Sequence, residues 1–258
     1  MIPTEYFDNF SEKEKQDFFE KIKRGRNDVI FFFNYFLGIP LHEGQKLWLL
    51  NSNCPINILA CGNKWGKTVG TSGKHIWKNF YKIGAKGKAE EIDKMEYQTI
   101  AMSPISGQVL RTKQYVEQIL TSSFSWEDGE TGKRITNKCR IPWFLVKSVA
   151  GTLECVHFLN GSRMDIRSIG DDKGSKLQGN DWYYGSYDEY TRSYHLEEEL
   201  EGNIIPRLTV YGGDLDLIGT PDKDSPSLQY VYGMCEEAMK DKEKYYFQGG
   251  SMLDNVFV

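Results

Sequence analysis

The segment Gly62-Asn63-Lys64-Trp65-Gly66-Lys67-Thr68 has the residue types that hold phosphate groups. It follows an apolar run, Ile56 to Ala60, and opens a helical pattern that continues through Val69 to Phe80. Gly66 lets the backbone approach phosphate oxygens closely. Successive backbone N–H groups and the helix N-terminus then point at negative charge. In such a loop Lys67 reaches the β- and γ-phosphates and Thr68 holds Mg²⁺. The spacing departs from the general G-x-x-x-x-G-K-[ST] pattern. Cys61 stands at the first glycine position, and Gly62 comes one place late. The plainer alternative is a glycine-rich turn with a surface lysine.

Two further segments could complete phosphate chemistry. A strand pattern from Trp182 to Tyr187 ends in Asp188-Glu189, and another, Leu215 to Ile218, ends in Gly219-Thr220-Pro221. Hydrolysis of a nucleotide needs a phosphate cradle, a magnesium ligand and a group that orients or deprotonates water. Asp188 suits the magnesium role. Glu189, pointing the other way on a pleated strand, is expected to face the γ-phosphate and activate water. Seen alone, the two carboxylates would read as a surface pair at a strand end.

The elements around these segments follow from pattern. Ser11 with Glu14 makes a capping box for a charged helix that Gly25 is expected to end. Asp28 opens an aromatic core segment, Val29 to Leu37, and Leu41 to Leu50 reads as a short helix. Residues 84–96 read as an exposed loop, 97–102 as a strand, 106–120 as a helix and 121–140 as a surface insertion or hairpin. Asn160-Gly161 between alternating runs at 153–159 and 163–168 signals a hairpin. The acidic run Glu197, Glu198, Glu199 and Glu201 reads as a solvated helix face, and 245–248 as a final strand. Strands alternating with helices indicate an α/β fold with a largely parallel sheet, whose site lies at the strands' C-terminal ends.

Composition narrows the function classes. The 258 residues, 40% of them hydrophobic, suffice for a substantial core. The net charge of −4 argues against one surface that grips nucleic acid strongly, though not against a few local phosphate contacts. Five scattered cysteines without a CxxC pair point to free thiols, and four histidines show no metal spacing. No apolar run approaches ~18 residues, so no membrane partner is expected.

The order of these motifs resembles the additional-strand, RecA-like class of P-loop NTPases. Within it, Gly62 to Thr68, Tyr187-Asp188-Glu189-Tyr190 and Gly219-Thr220-Pro221 resemble the phosphate loop, Asp-Glu strand end and coupling motif of the large terminase subunits of tailed bacteriophages. That resemblance implies ATP and Mg²⁺ as cofactors, with the nucleotide at Gln45, Gly62, Asn63, Lys64, Trp65, Gly66, Lys67, Thr68 and Thr220. It implies adenine contact by Gln45, within Leu41-His42-Glu43-Gly44-Gln45. It places the metal on Thr68 and Asp188, and catalysis on Glu189 and Lys67, with Lys64 or Arg163 as the activating cation. Arg167 and Lys176 are further candidates. Two departures stand out: Asn63 occupies a place where arginine is common, and Gln178 precedes Gly179 where the family often has arginine.

The resemblance divides the chain into an N-terminal helical subregion, 1–50, with the adenine-contacting segment, and an ATPase core, 51–258. It leaves no room for the nuclease domain of the family, so the chain is expected to be the ATPase half alone. The implied partners are double-stranded DNA, a homo-oligomeric (pentameric) ring, the portal protein and the small terminase subunit. The implied place is the host cytoplasm, docked transiently at the procapsid portal. A helicase-like remodelling ATPase and a non-catalytic assembly module with a nucleotide fold are the alternatives.

Overall fold

The computed structural model of the chain describes residues 7–128, 131–141, 146–149, 155–169, 173–177 and 179–254. Helix α1 (Glu12–Asn27) starts at the expected capping box, with Ser11 N donating to Glu14 Oε2 at 2.8 Å. It does not end at Gly25. That glycine is buried within the helix, where a Cβ would lie 2.5 Å from Tyr81 Oη. The missing side chain allows close packing instead of a turn. Asp28 Oδ1 accepts from Phe31 N and starts α2 (Val29–Phe31), which runs into a π-helical turn, Phe32–Leu37, closed by Gly38 at φ +66°. Phe32, Phe33, Phe36 and Leu37 are buried there. Helix α3 (Glu43–Asn51) follows, capped by His42.

The rest of the chain alternates strands and helices. In order these are β1 (Ile56–Cys61), α4 (Lys67–Tyr81), α5 (Ala89–Lys94), β2 (Tyr97–Ser103) and α6 (Ser106–Leu120). A small ladder of β3 (Ser125–Glu127) and β4 (Arg134–Thr136) precedes β5 (Val146–Val149), β6 (Cys155–Phe158) and β7 (Ser162–Ser168). Then come β8 (Tyr184–Asp188), α7 (Leu196–Glu199), a π-helical turn (Leu200–Ile204) and α8 (Ile205–Thr209). The described chain closes with β9 (Asp214–Gly219), α9 (Leu228–Lys240) and β10 (Tyr245–Gly250). Residues 84–96, expected as loop, thus contain α5. The Asn160-Gly161 hairpin joins β6 and β7, with Gly161 at φ +80°.

The main sheet has the order β10-β1-β9-β8-β2-β7-β6-β5. All neighbours from β10 to β7 pair in parallel, and β6 and β5 extend the sheet antiparallel. Strand β9 therefore separates the loop strand β1 from the Asp-Glu strand β8, as the additional-strand class requires. Both faces are covered. Leu59, Ala101, Ile166 and Ile218 face the core beneath α4, α6 and the aromatic π turn, while Ile58, Ile100, Tyr187 and Leu217 face the core beneath α7–α9. The strands consequently read as nearly continuous apolar runs.

One expectation about the acidic helix changes. Glu199 is buried and accepts from Tyr187 Oη at 2.6 Å and Ser193 Oγ at 2.7 Å. It ties α7 to β8, because a carboxylate without water needs donors from the protein.

Candidate active site

Parallel register brings the chemistry to one edge. Ala60 of β1 pairs with Gly219 of β9, and Ile218 of β9 pairs with Asp188 of β8. The chain segments after these three strand ends therefore converge, although they are far apart in sequence.

Gly66, at φ +91°, turns the loop into α4 and leaves the helix without a side-chain N-cap. The first N–H groups of α4 are thus not taken by a cap and remain donors for an anion. Lys64 also has positive φ, +62°, and both Asn63 and Lys64 are exposed on the loop. Lys67 Nζ is buried and donates to Cys61 O (2.8 Å), Gly62 O (3.0 Å) and Thr220 Oγ1 (3.2 Å). Thr220 Oγ1 in turn donates to Asn63 Oδ1 at 3.2 Å. Burial lowers the Lys67 pKa, and the Glu189 and Asp188 carboxylates oppose that shift.

Thr68 Oγ1 donates to Asp188 Oδ2 at 3.2 Å. Burial, reinforced by the neighbouring Glu189 carboxylate, raises Asp188 to about 6, while Lys67 and the Thr68 hydrogen bond pull it down. Glu189 is not a pleated-strand residue. It lies just beyond β8 in the left-handed region, φ 56° and ψ 36°, with its N–H bonded to Ile218 O at 2.6 Å. Its Oε2 is buried without a hydrogen bond. It is this turn, and not strand alternation, that separates the two adjacent carboxylates.

These groups suit a magnesium nucleotide. Mg²⁺ is typically held by one or two protein oxygens together with substrate phosphates. Thr68 Oγ1 and Asp188 Oδ2 offer such a pair, and no larger His/Cys/Asp/Glu cluster occurs among the described residues. A buried carboxylate with a raised pKa and a buried carboxylate oxygen without a donor both call for positive charge.

The remaining expected residues sit differently. Gln45 is buried, with Nε2 donating to Gly66 O at 3.1 Å and Oε1 accepting from His42 N at 3.2 Å. Its amide braces the loop. The Trp65 ring is buried behind the loop, edge-on to His42 at 4.7 Å between centroids, with Nε1 donating to Asp254 Oδ2. Its bulk is satisfied by the core, so the ring is an anchor in this arrangement. Arg163 lies at the start of β7, next to Gln98 at the start of β2, and pairs with Asp165. That is the end of the strands opposite the loop, because the strands run parallel, so Arg163 does not join this site within its own chain. Arg167, near the other end of β7, donates to Ile166 O. The Lys176 side chain and Gln178 lie outside the described residues.

Several contributors escaped the sequence. His42 Nε2 contacts Trp65 O at 2.9 Å, and Gly250 abuts Trp65. Arg192 Nε lies 3.8 Å from Glu189 Oε2. Only the offset of three from Glu189 hints at Arg192, and it becomes meaningful once residues 190–192 form a helical turn.

No protein-family model matches the sequence, and no curated protein matches it. Solved structures do. The large terminase of bacteriophage HK97 superposes with a TM-score of 0.61 at 14% identity, over 87% of this chain and 43% of that one. The chain thus spans less than half the length of the HK97 protein. The large terminase ATPase domain of Thermus phage P74-26 superposes with a TM-score of 0.55 at 15% identity, over 85% of this chain and 84% of that domain. This chain has the fold of a phage large-terminase ATPase domain.

Proposed function

We propose that the chain hydrolyses ATP to drive double-stranded DNA into a phage procapsid, as the ATPase part of a large terminase. One observation carries the hydrolytic reading: Lys67, Thr68, Asp188, Glu189 and Thr220, from three segments, meet at the C-terminal ends of β1, β8 and β9. The fold shared with terminase ATPase domains supports the choice of motor.

In this reading the α4 N-terminus and Lys67 take the phosphates. Lys67 exchanges its backbone carbonyl partners for β- and γ-phosphate oxygens. Thr68 and Asp188 would hold Mg²⁺, which would offset charge on the phosphate oxygens. Glu189 orients a water and accepts its proton at a carboxylate oxygen as the water oxygen bonds to the γ-phosphorus and ADP departs. Thr220, bonded to Lys67 and Asn63, registers whether Lys67 is engaged. The DNA, the homo-oligomeric ring, the portal protein, the small subunit and the site of action at the procapsid belong to the same proposal. The net charge of −4 suits few DNA contacts per subunit, summed around a ring.

The test is phosphate release from Mg-ATP by the purified chain, with and without double-stranded DNA. Glu189→Gln should lower kcat by about 10²–10⁴-fold and leave ATP binding intact. Lys67→Ala should remove both binding and turnover. Full turnover by Glu189→Gln would remove Glu189 from its role, and tight binding to single- and double-stranded DNA alike would count against packaging.

A further inference from the structure

Glu189 must be held in place, and its own strand does not do so. Its backbone has left β8 for the left-handed region, and its Oε2 is buried without a hydrogen bond. Among the described residues, the cation paired with that oxygen is Arg192, with Nε 3.8 Å away. The Arg192 side chain is 56% exposed and that of Glu189 13%. The pair thus bridges solvent and the buried site. On the solvent side Arg192 lines a cleft of about 700 Å³ together with Asp222 and Asp224.

The turn that carries Arg192 is fixed at every residue. Arg192 N donates to Glu189 O at 2.9 Å, and Ser193 N to Tyr190 O at 3.1 Å. Tyr190 is buried against Gly219, where a Cβ would come within 3.0 Å of its ring. Thr191 Oγ1 donates to Thr220 O at 3.1 Å, and Ser225 Oγ donates to Thr191 O at 2.5 Å. The turn is therefore stitched to the loop after β9, the loop whose Thr220 hydroxyl touches Lys67.

We propose that Arg192 is a positioning residue that holds the Glu189 carboxylate in its working orientation. Through Thr191 and Thr220, that orientation follows the loop after β9. Arg192 acts through Glu189 and does not touch the phosphates. A shift of about 1 Å in a reacting group can cost 10²-fold in rate, so a partner that fixes direction matters even when the ion pair is half-solvated. This inference rests on the ATPase reading.

The test compares steady-state ATP hydrolysis by wild type, Arg192→Ala, Arg192→Lys, Glu189→Gln and the Arg192→Ala/Glu189→Gln double variant, alongside binding of a fluorescent ATP analogue. Arg192→Ala should lose about 10- to 100-fold in kcat while KM for ATP stays within about threefold. Arg192→Lys should regain most of that loss. In the Glu189→Gln background, Arg192→Ala should change nothing further, because the group it positions is already disabled. Unchanged kcat in Arg192→Ala, a loss confined to KM, or a full further loss in the double variant would each overturn the inference. Those results leave the ATPase reading standing if wild type turns over and Glu189→Gln does not. Absence of turnover in wild type brings down that reading and the inference with it. Should Arg192→Ala fail to fold, Arg192→Lys decides: a 10- to 100-fold loss in kcat with unchanged melting overturns the inference.

Discussion

Thr68 Oγ1 donates to Asp188 Oδ2 at 3.2 Å, joining residues 120 positions apart in sequence. The bond links the first turn of the phosphate-loop helix to the last residue of β8. It forms because β9 and β8 run parallel to β1 and end at the same level. The two oxygens that suit a magnesium ion are thus already neighbours.

Asp188 makes the stability of the nucleotide-free chain depend on pH. Its pKa in the folded chain is about 6, above the ordinary carboxylate value of 3.8, because burial and Glu189 disfavour the charge. A raised folded pKa stabilises fully below about pH 4, and that contribution is lost as pH rises through about 6. Asp188→Asn should therefore stabilise the metal-free protein, and by about 1–2 kcal/mol more near pH 7.5 than near pH 5. Urea unfolding in the presence of a chelator measures this. A variant less stable than wild type near neutral pH would contradict the assignment. The same change should abolish magnesium-dependent turnover.

Gly250 leaves room for the anchor of the phosphate loop. A Cβ there would lie 2.4 Å from Trp65 Nε1 and 2.7 Å from Cys61 Sγ. Gly250→Ala must displace Trp65, and with it the loop whose N–H at Gly62 bonds Gly250 O at 3.1 Å. The expected result is about 1–3 kcal/mol of destabilisation from overpacking and a KM for ATP raised roughly tenfold. Wild-type KM and melting would show that Trp65 yields without moving the loop.

Lys74 is an ammonium buried beneath α4. Its Nζ bonds Asp216 Oδ2 at 2.8 Å and Ser52 Oγ at 2.8 Å, and Tyr184 Oη donates to the same Asp216 oxygen at 2.7 Å. Lys74→Met leaves the Asp216 charge unpaired and should cost about 3–5 kcal/mol by denaturant titration. Adding Asp216→Asn removes that charge and keeps an acceptor for Tyr184, so the double variant should recover at least half of the loss. No recovery would mean that Lys74 acts by packing alone.

Much of the fold is legible in the residues themselves. The apolar runs ending in Gly62–Thr68, Asp188-Glu189 and Gly219-Thr220 announced strands whose ends carry polar chemistry, and these strands form. Punctuation was less reliable. Gly25 looked like a helix end but serves a close contact with α4, since a missing side chain permits both. Glu199 looked solvated like Glu197 and Glu198, yet it points inward. A helix face is set by what packs on it, and the passage of α7 into a π-helical turn is not visible in the residue pattern.

Residue order shows which chemical groups are present and at which strand ends they fall. Apolar runs and the polar residues that end them are local features, so residues a few positions apart suffice to reveal them. Which of these groups meet is set by the packing of the sheet. The placement of β9 between β1 and β8 sets Thr220 against Lys67 and Asp188 against Thr68, while the parallel run of β2 and β7 leaves Arg163 at the opposite end of the strands. The left-handed turn at Glu189 then brings Arg192 beside it. Such contacts depend on strand order and on one backbone dihedral, which no local spacing encodes.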